Sequence, residues 1–121
     1  MSDFRVIGLP TFRDRRGHLT VMQDALPFEV RRTFWIAGAD NIMRGGHRHR
    51  NTRQALIAVS GTVYVKLNDG KTKHEVRLDR QDKCLIVEPD DWHVMVFAPE
   101  SILLVFASHS YDIKDYIDAE Y

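Results

Sequence analysis

One cysteine in 121 residues, Cys84, excludes an intramolecular disulfide and leaves no thiolate cluster for zinc. Its neighbours Leu85, Ile86 and Val87 make it a buried strand cysteine rather than a reactive thiol. Charge of one sign is also missing, since 17 basic residues balance 17 acidic ones. Without a bulk electrostatic footprint, no nucleic-acid or membrane-surface partner is expected. The basic cluster from Arg44 to Arg53 is local and interleaved with polar residues, and it suits a small anion. No apolar run is long enough to span a bilayer and no leader-like segment stands out, so the expected location is the cytoplasm. Repeats, linkers and low-complexity stretches are absent as well. A hydrophobic content of 44% over this length fits a single domain, residues 1–121, with a real core.

What is present is a series of short β-forming runs. Phe4 to Leu9 is stopped by Pro10, Asp14 to Gly17 reads as a turn, and His18 to Gln23 resumes with alternating residues. Arg31 to Ala37 is rich in β-formers, and Gln54 to Ser60 and Thr62 to Asn68 are two strands broken at Gly61. Asp69-Gly70 is a hairpin signal answered by Lys73 to Leu78. Leu85 to Glu88, Trp92 to Phe97 and Ile102 to Ala107 follow, with Pro89 and Pro99 in the gaps. Only the tail from Tyr111 to Tyr121 predicts a helix, with Ile113, Tyr116 and Ile117 on one side. The pattern is that of an all-β sandwich or barrel with a short C-terminal helix.

The chemistry concentrates in Arg44-Gly45-Gly46-His47-Arg48-His49, which leads into Gln54. On a strand, His47 and His49 share one face while Arg48 and Arg50 share the other. Two imidazoles turned into a β-fold are costly to desolvate unless a metal, an acid–base partner or a substrate satisfies them. The bland alternative is a pair of solvated histidines. His18, His74 and His109 read as surface residues. Trp92 either stacks on a planar ligand or fills the barrel, and Trp35 reads as core.

The His-x-His pair followed by Gln54 and Gly61, with Pro89-Asp90-Asp91-Trp92-His93 beyond, resembles the two motifs of the cupins, which are jelly-roll barrels. Metal cupins hold their ion with three histidines and a carboxylate. His47, His49 and His93 could supply the nitrogens, but Gln54 stands at the carboxylate position. A narrower resemblance covers nearly the whole chain. Asp14-Arg15-Arg16-Gly17, Arg31 to Ile36, Arg44 to His49, Gln54, Leu67 to Gly70, Pro89 to Met95 and Ser108 to Ile117 are similar, in order, to the WxcM-like sugar nucleotide 3,4-ketoisomerases.

That resemblance implies a cupin jelly roll without metal or other cofactor, acting on a dTDP-linked 4-keto-6-deoxy sugar in deoxyaminosugar biosynthesis for surface polysaccharide. It also implies a homodimer with exchanged N-terminal strands. Moving a carbonyl from C4 to C3 requires loss of a C3 proton, an enediol and proton delivery at C4, work suited to imidazole at neutral pH. By resemblance His47 is the base at the ring carbons, and His49 either moves the proton between the oxygens or holds its partner in the correct tautomer. Arg15, Arg16 and His93 are the candidate donors to the developing oxyanion, and Arg44 is the diphosphate clamp. Gln54 and Trp92 complete the expected substrate-binding set. The chain departs from the family where a tyrosine pair is replaced by Phe34 and Trp35, and where Arg53 replaces a glutamate. That arginine is expected to depress the pKa of any nearby histidine. Two other readings stay open: a metal cupin enzyme built on His47, His49 and His93, and a non-catalytic nucleotide-sugar binder.

Overall fold

The computed structural model describes residues 5–121. Its strands, in chain order, are β1 (Arg5–Gly8), β2 (Thr11–Asp14), β3 (Gly17–Thr20), β4 (Arg32–Ala37), β5 (Met43–His49) and β6 (Gln54–Ser60). They continue as β7 (Val63–Asn68), β8 (Lys73–Leu78), β9 (Lys83–Val87), β10 (Trp92–Phe97), β11 (Ile102–Ala107) and β12 (Tyr116–Ile117). One sheet has the order β1-β9-β6-β11-β4 and the other β12-β5-β10-β7-β8, with β2 and β3 forming a separate hairpin. All pairings are antiparallel, giving the cupin-type jelly roll.

Residue alternation decides what each sheet buries. Leu56, Ala58, Val65, Leu67, Leu85, Met95, Phe97, Leu103 and Val105 point between the sheets and form the main core. The other face of β6, with Ala55 and Ile57 beside Cys84 and Ile86, is covered by Leu9 and by the segment carrying Met22, Leu26 and Phe28. A strand buried on both faces loses its polar alternation, which is why β6 reads as a continuous apolar run. Truncating a fully buried residue such as Leu56 or Leu85 should cost about 2–5 kcal/mol. Cys84 is fully buried, and burial pushes its thiol up to about 11.

One expectation needs correction. The tail is not a helix: Ile113–Asp115 is one 3-10 turn capped by the Asp112 side chain, and the chain then extends as β12. Pairing with β5 holds Tyr116 opposite His49 and Ile117 opposite Arg48, and this ladder competes successfully with helix formation. The turn expected at Asp14 to Gly17 is present and joins β2 to β3, and Thr11 to Asp14 before it is a strand that the sequence reading did not name, paired through Phe12 opposite Leu19. In the single chain β1 lies along β9, with Val6 opposite Leu85. The free edge of β9 is within its reach, and Leu9 N–H donates to the Asp82 carbonyl at 2.8 Å to fix it there. Phe4, the first residue of that expected strand, lies outside the described residues.

Candidate active site

Gly45 and Gly46 both have positive φ, at 90° and 82°, a conformation open to glycine and strained for other residues. They accommodate an irregularity in the β5–β10 ladder between His93 and Val94 that sets His47 directly opposite His93. A Cβ at Gly45 would stand 2.9 Å from the His93 carbonyl oxygen, so the close approach of the two strands needs this glycine. The strand period then turns His49 the same way as His47. Ring centroids are 5.0 Å apart for His47 and His49, 5.3 Å for His47 and His93, and 6.0 Å for His49 and His93.

His47 and His93 open onto a cavity of about 390 Å³ between the sheets. Its other walls include Arg32, Phe34, Arg44, Gln54, Tyr111 and Tyr116, with Trp35 also contributing. His49 sits one layer behind, its ring 4.7 Å from that of Tyr116, which also lies 4.5 Å from His47. The Arg32 guanidinium rests 4.5 Å above Phe34 and 5.2 Å from Tyr111. Neither Arg32 nor Arg44 forms an ion pair with a carboxylate among the described residues. Two uncompensated cations beside a cavity favour an anionic occupant.

Behind the histidines lies a carboxylate. His49 Nδ1 is 2.9 Å from Asp115 Oδ2, with both side chains buried. Thr52 Oγ1 donates to the same oxygen at 2.5 Å, and the Asn51 N–H donates to Oδ1 at 2.7 Å. His49 Nε2 is buried and has no hydrogen-bond partner among the described residues. His93 Nδ1 faces the Asp91 carbonyl at 3.0 Å. A carbonyl only accepts, so that nitrogen carries the proton.

Burial lowers the pKa of all three imidazoles and so favours their neutral forms. Burial lowers the pKa of His47, and the neighbouring His49 adds to the effect. His49 is lowered chiefly by burial, with the charge of Arg32 also contributing against the raising influence of Asp115. His93 is pushed down to about 4, mainly by burial. Burial pulls Asp115 upward, but hydrogen bonds from Thr52, His49 and Asn51 outweigh it and leave the carboxyl below its ordinary value.

Of the residues expected from sequence, His47, His93, Arg44 and Gln54 line one cavity, and His49 adjoins it. Trp92 does not join them. It is next to His93 on a strand and therefore faces the opposite side, toward Lys73, His74 and Glu120. Arg15 and Arg16 lie at the exposed β2–β3 turn, apart from this cavity, and Arg16 pairs with Asp14 at 2.7 Å. Arg53 does not act on the histidines as expected. It forks onto Glu88 at 2.7 and 2.9 Å and donates to the Pro27 carbonyl, so its charge is neutralised where it stands. Sequence reasoning missed Arg32, Tyr111, Tyr116 and Asp115. The last three belong to the tail that was read as a helix.

One ring nitrogen from each of His47, His49 and His93 lies within 4.8 Å of the others, a set able to take a divalent cation. The side chain at the expected carboxylate position is the neutral Gln54.

The family model described as FdtA: WxcM-like, C-terminal matches residues 2–121. A TDP-4-oxo-6-deoxy-alpha-D-glucose-3,4-oxoisomerase from Aneurinibacillus thermoaerophilus is 33% identical over 117 residues, covering 93% of this chain and 84% of the relative. The TDP-quinovose 3,4-ketoisomerase structure from Campylobacter jejuni is 36% identical, with TM-score 0.92 over 98% of this chain and 95% of that one. A histidine-to-asparagine mutant of the 3,4-ketoisomerase QdtA from Thermoanaerobacterium thermosaccharolyticum was solved with TDP-4-keto-6-deoxyglucose. It superposes with TM-score 0.94 at 29% identity, covering 98% of this chain and 89% of that one.

Proposed function

The chain belongs to the WxcM-like family, and on that premise we propose that it is a sugar nucleotide 3,4-ketoisomerase acting on a dTDP-linked 4-keto-6-deoxyhexose. The observation that carries this reading is the pair His47 and His49, their neutral forms favoured by burial, beside a cavity flanked by two unpaired guanidinium groups. A neutral imidazole removes the C3 proton, leaving an enediolate whose negative oxygen is O4. O4 is protonated, O3 gives up its proton, and a proton is returned to C4, so the carbonyl ends at C3 with no net gain or loss of atoms. His49 is the base at carbon in this scheme, because it alone of the three is backed by a carboxylate. This reverses the roles expected from sequence and leaves His47 to serve the oxygens. For His49 to reach the sugar, the ring of Tyr116 must make room. His93 and Gln54 border the sugar, and Arg32 and Arg44 take the diphosphate.

The functional unit on this reading is a cytoplasmic homodimer. Phe12 and Leu19, opposite each other on the β2–β3 hairpin, are 62% and 63% exposed, an apolar pair that a second copy would cover. A hairpin seated on the partner would carry Arg15 and Arg16 toward the other subunit's cavity. Light scattering is expected to give twice the 14.1 kDa chain mass.

The direct test is incubation with dTDP-4-keto-6-deoxyglucose in heavy water. The expected outcome is a 3-keto product bearing deuterium at C4. Binding without wash-in of deuterium would favour a non-catalytic binder. The three-histidine cluster supports one other reading, a metal cupin. Stoichiometric metal in the purified protein, with activity lost on chelation, would favour it.

A further inference from the structure

We propose that Asp115 is a positioning residue of the reaction: it holds His49 in the tautomer that carries its proton on Nδ1 and leaves Nε2 bare as the proton acceptor. The inference rests on the ketoisomerase reading but adds to it a residue and a physical role.

The argument is one of proton bookkeeping. Asp115 Oδ2 receives two contacts, from Thr52 Oγ1 at 2.5 Å and His49 Nδ1 at 2.9 Å, and Oδ1 receives the Asn51 N–H at 2.7 Å. The backbone N–H can only donate, and an ionised carboxylate can only accept. A carboxylate that accepts from the Asn51 N–H and the Thr52 hydroxyl is held ionised and can only accept, so the ring nitrogen facing it carries a proton. A neutral imidazole has one N–H, and with Nδ1 protonated, Nε2 keeps its lone pair. That nitrogen is buried and unpartnered among the described residues, as an acceptor awaiting substrate would be.

The backbone makes the arrangement rigid. The 3-10 turn is capped by Asp112, whose carboxylate accepts from Lys114 N–H, and Asp115 N–H donates to the Asp112 carbonyl. Arg50 N–H donates to the Asp115 carbonyl at 2.8 Å, and β12 continues the tail against β5. Asp115 is therefore fastened to the His49–Thr52 segment through both backbone and side chain. A purely structural clasp would need only some of these bonds. It would not require the carboxylate to meet a ring nitrogen whose partner nitrogen is left empty.

Two-bond ¹H–¹⁵N spectra of the wild-type protein at pH 7.5 read the tautomer without any substrate. The expected result is a protonated Nδ1 and a pyridine-like Nε2 for His49. A proton on Nε2, or a doubly protonated ring, would overturn the proposal even if no Asp115 variant folds. In Asp115→Asn, kcat is expected to fall about 10²- to 10⁴-fold with KM within a few-fold, since the carboxylate acts on the base and not on the nucleotide. Asp115→Glu should recover part of kcat. A folded Asp115→Asn protein with wild-type kcat would sink the idea. If the wild-type protein fails to isomerise the sugar while the tautomer is as expected, the substrate reading is at fault and the positioning of His49 stands.

Discussion

His47 and His93 face each other across the β5–β10 ladder because Gly45 and Gly46 take up its irregularity with positive φ angles. Gly45→Ala tests that dependence. The added methyl would meet the His93 carbonyl at 2.9 Å and Met95 Cε at 3.2 Å, in a conformation already unfavourable for alanine. A destabilisation of roughly 1–3 kcal/mol is expected in urea unfolding, with a drop in kcat larger than the stability loss explains. An unchanged variant would mean that the glycines do not set the histidine geometry.

Replacing either catalytic imidazole should differ from ordinary core damage. His49→Asn keeps polarity but offers no acceptor of useful pKa, so turnover is expected to fall by about 10²–10⁴-fold. His47→Asn should be slow as well, and the double variant should lose far less than the product of the two losses, since the pair acts as a unit. Deuterium exchange at C3 of the 4-keto sugar is the discriminating measurement. It should vanish in His49→Asn and persist slowly in His47→Asn. The opposite order would return the carbon base to His47.

Much of this site was legible in the sequence because strand geometry is regular. The two-residue spacing put His47 and His49 on one face, and the motif order placed His93 near them. The same rule, applied one residue further, excludes Trp92 from the face that His93 occupies. What the sequence could not supply were contacts between segments distant in the chain. Asp115 meets His49 across 66 residues, and its neighbours Ile113, Tyr116 and Ile117 mimic a helical apolar face. Ile113 is in fact 68% exposed, and the segment extends as β12 instead. Arg53 was misjudged for the same reason, because its partner Glu88 is supplied by a loop far along the chain.

Stability should depend on pH through the buried histidines. His93 takes its proton near 4 in the folded protein and near 6.5 once unfolded. Between those values the unfolded chain binds more protons, so stability rises with pH across the window and falls on acidification from 6.5 toward 4. His47 and His49, also lowered, act in the same direction. The loss attributable to His93 is on the order of a few kcal/mol. Urea unfolding at pH 7 and pH 4.5 measures it, and His93→Gln, if folded, should flatten the dependence. A protein more stable at pH 4.5 than at pH 7 would contradict the burial of neutral imidazoles.

Arg32 and Arg44 border the same cavity but should fail differently when neutralised. Both can hold a diphosphate, and loss of a charge-assisted hydrogen bond costs about 1.5–3 kcal/mol, or roughly 10- to 150-fold in affinity. Arg32→Gln and Arg44→Gln should each weaken dTDP binding on that scale by calorimetry. Arg32 has a second influence, because its positive charge helps to lower the pKa of His49. Removing it should let that pKa rise, moving the acid limb of the kcat/KM profile to higher pH. Arg32→Lys keeps the charge and loses the planar fork, so it should weaken binding while leaving the acid limb in place. Arg44→Gln should also leave it in place, since the cation acting on His49 is that of Arg32. An acid limb that moves equally in both glutamine variants would show that the two arginines share one role. A limb that moves in neither would separate Arg32 from the base altogether.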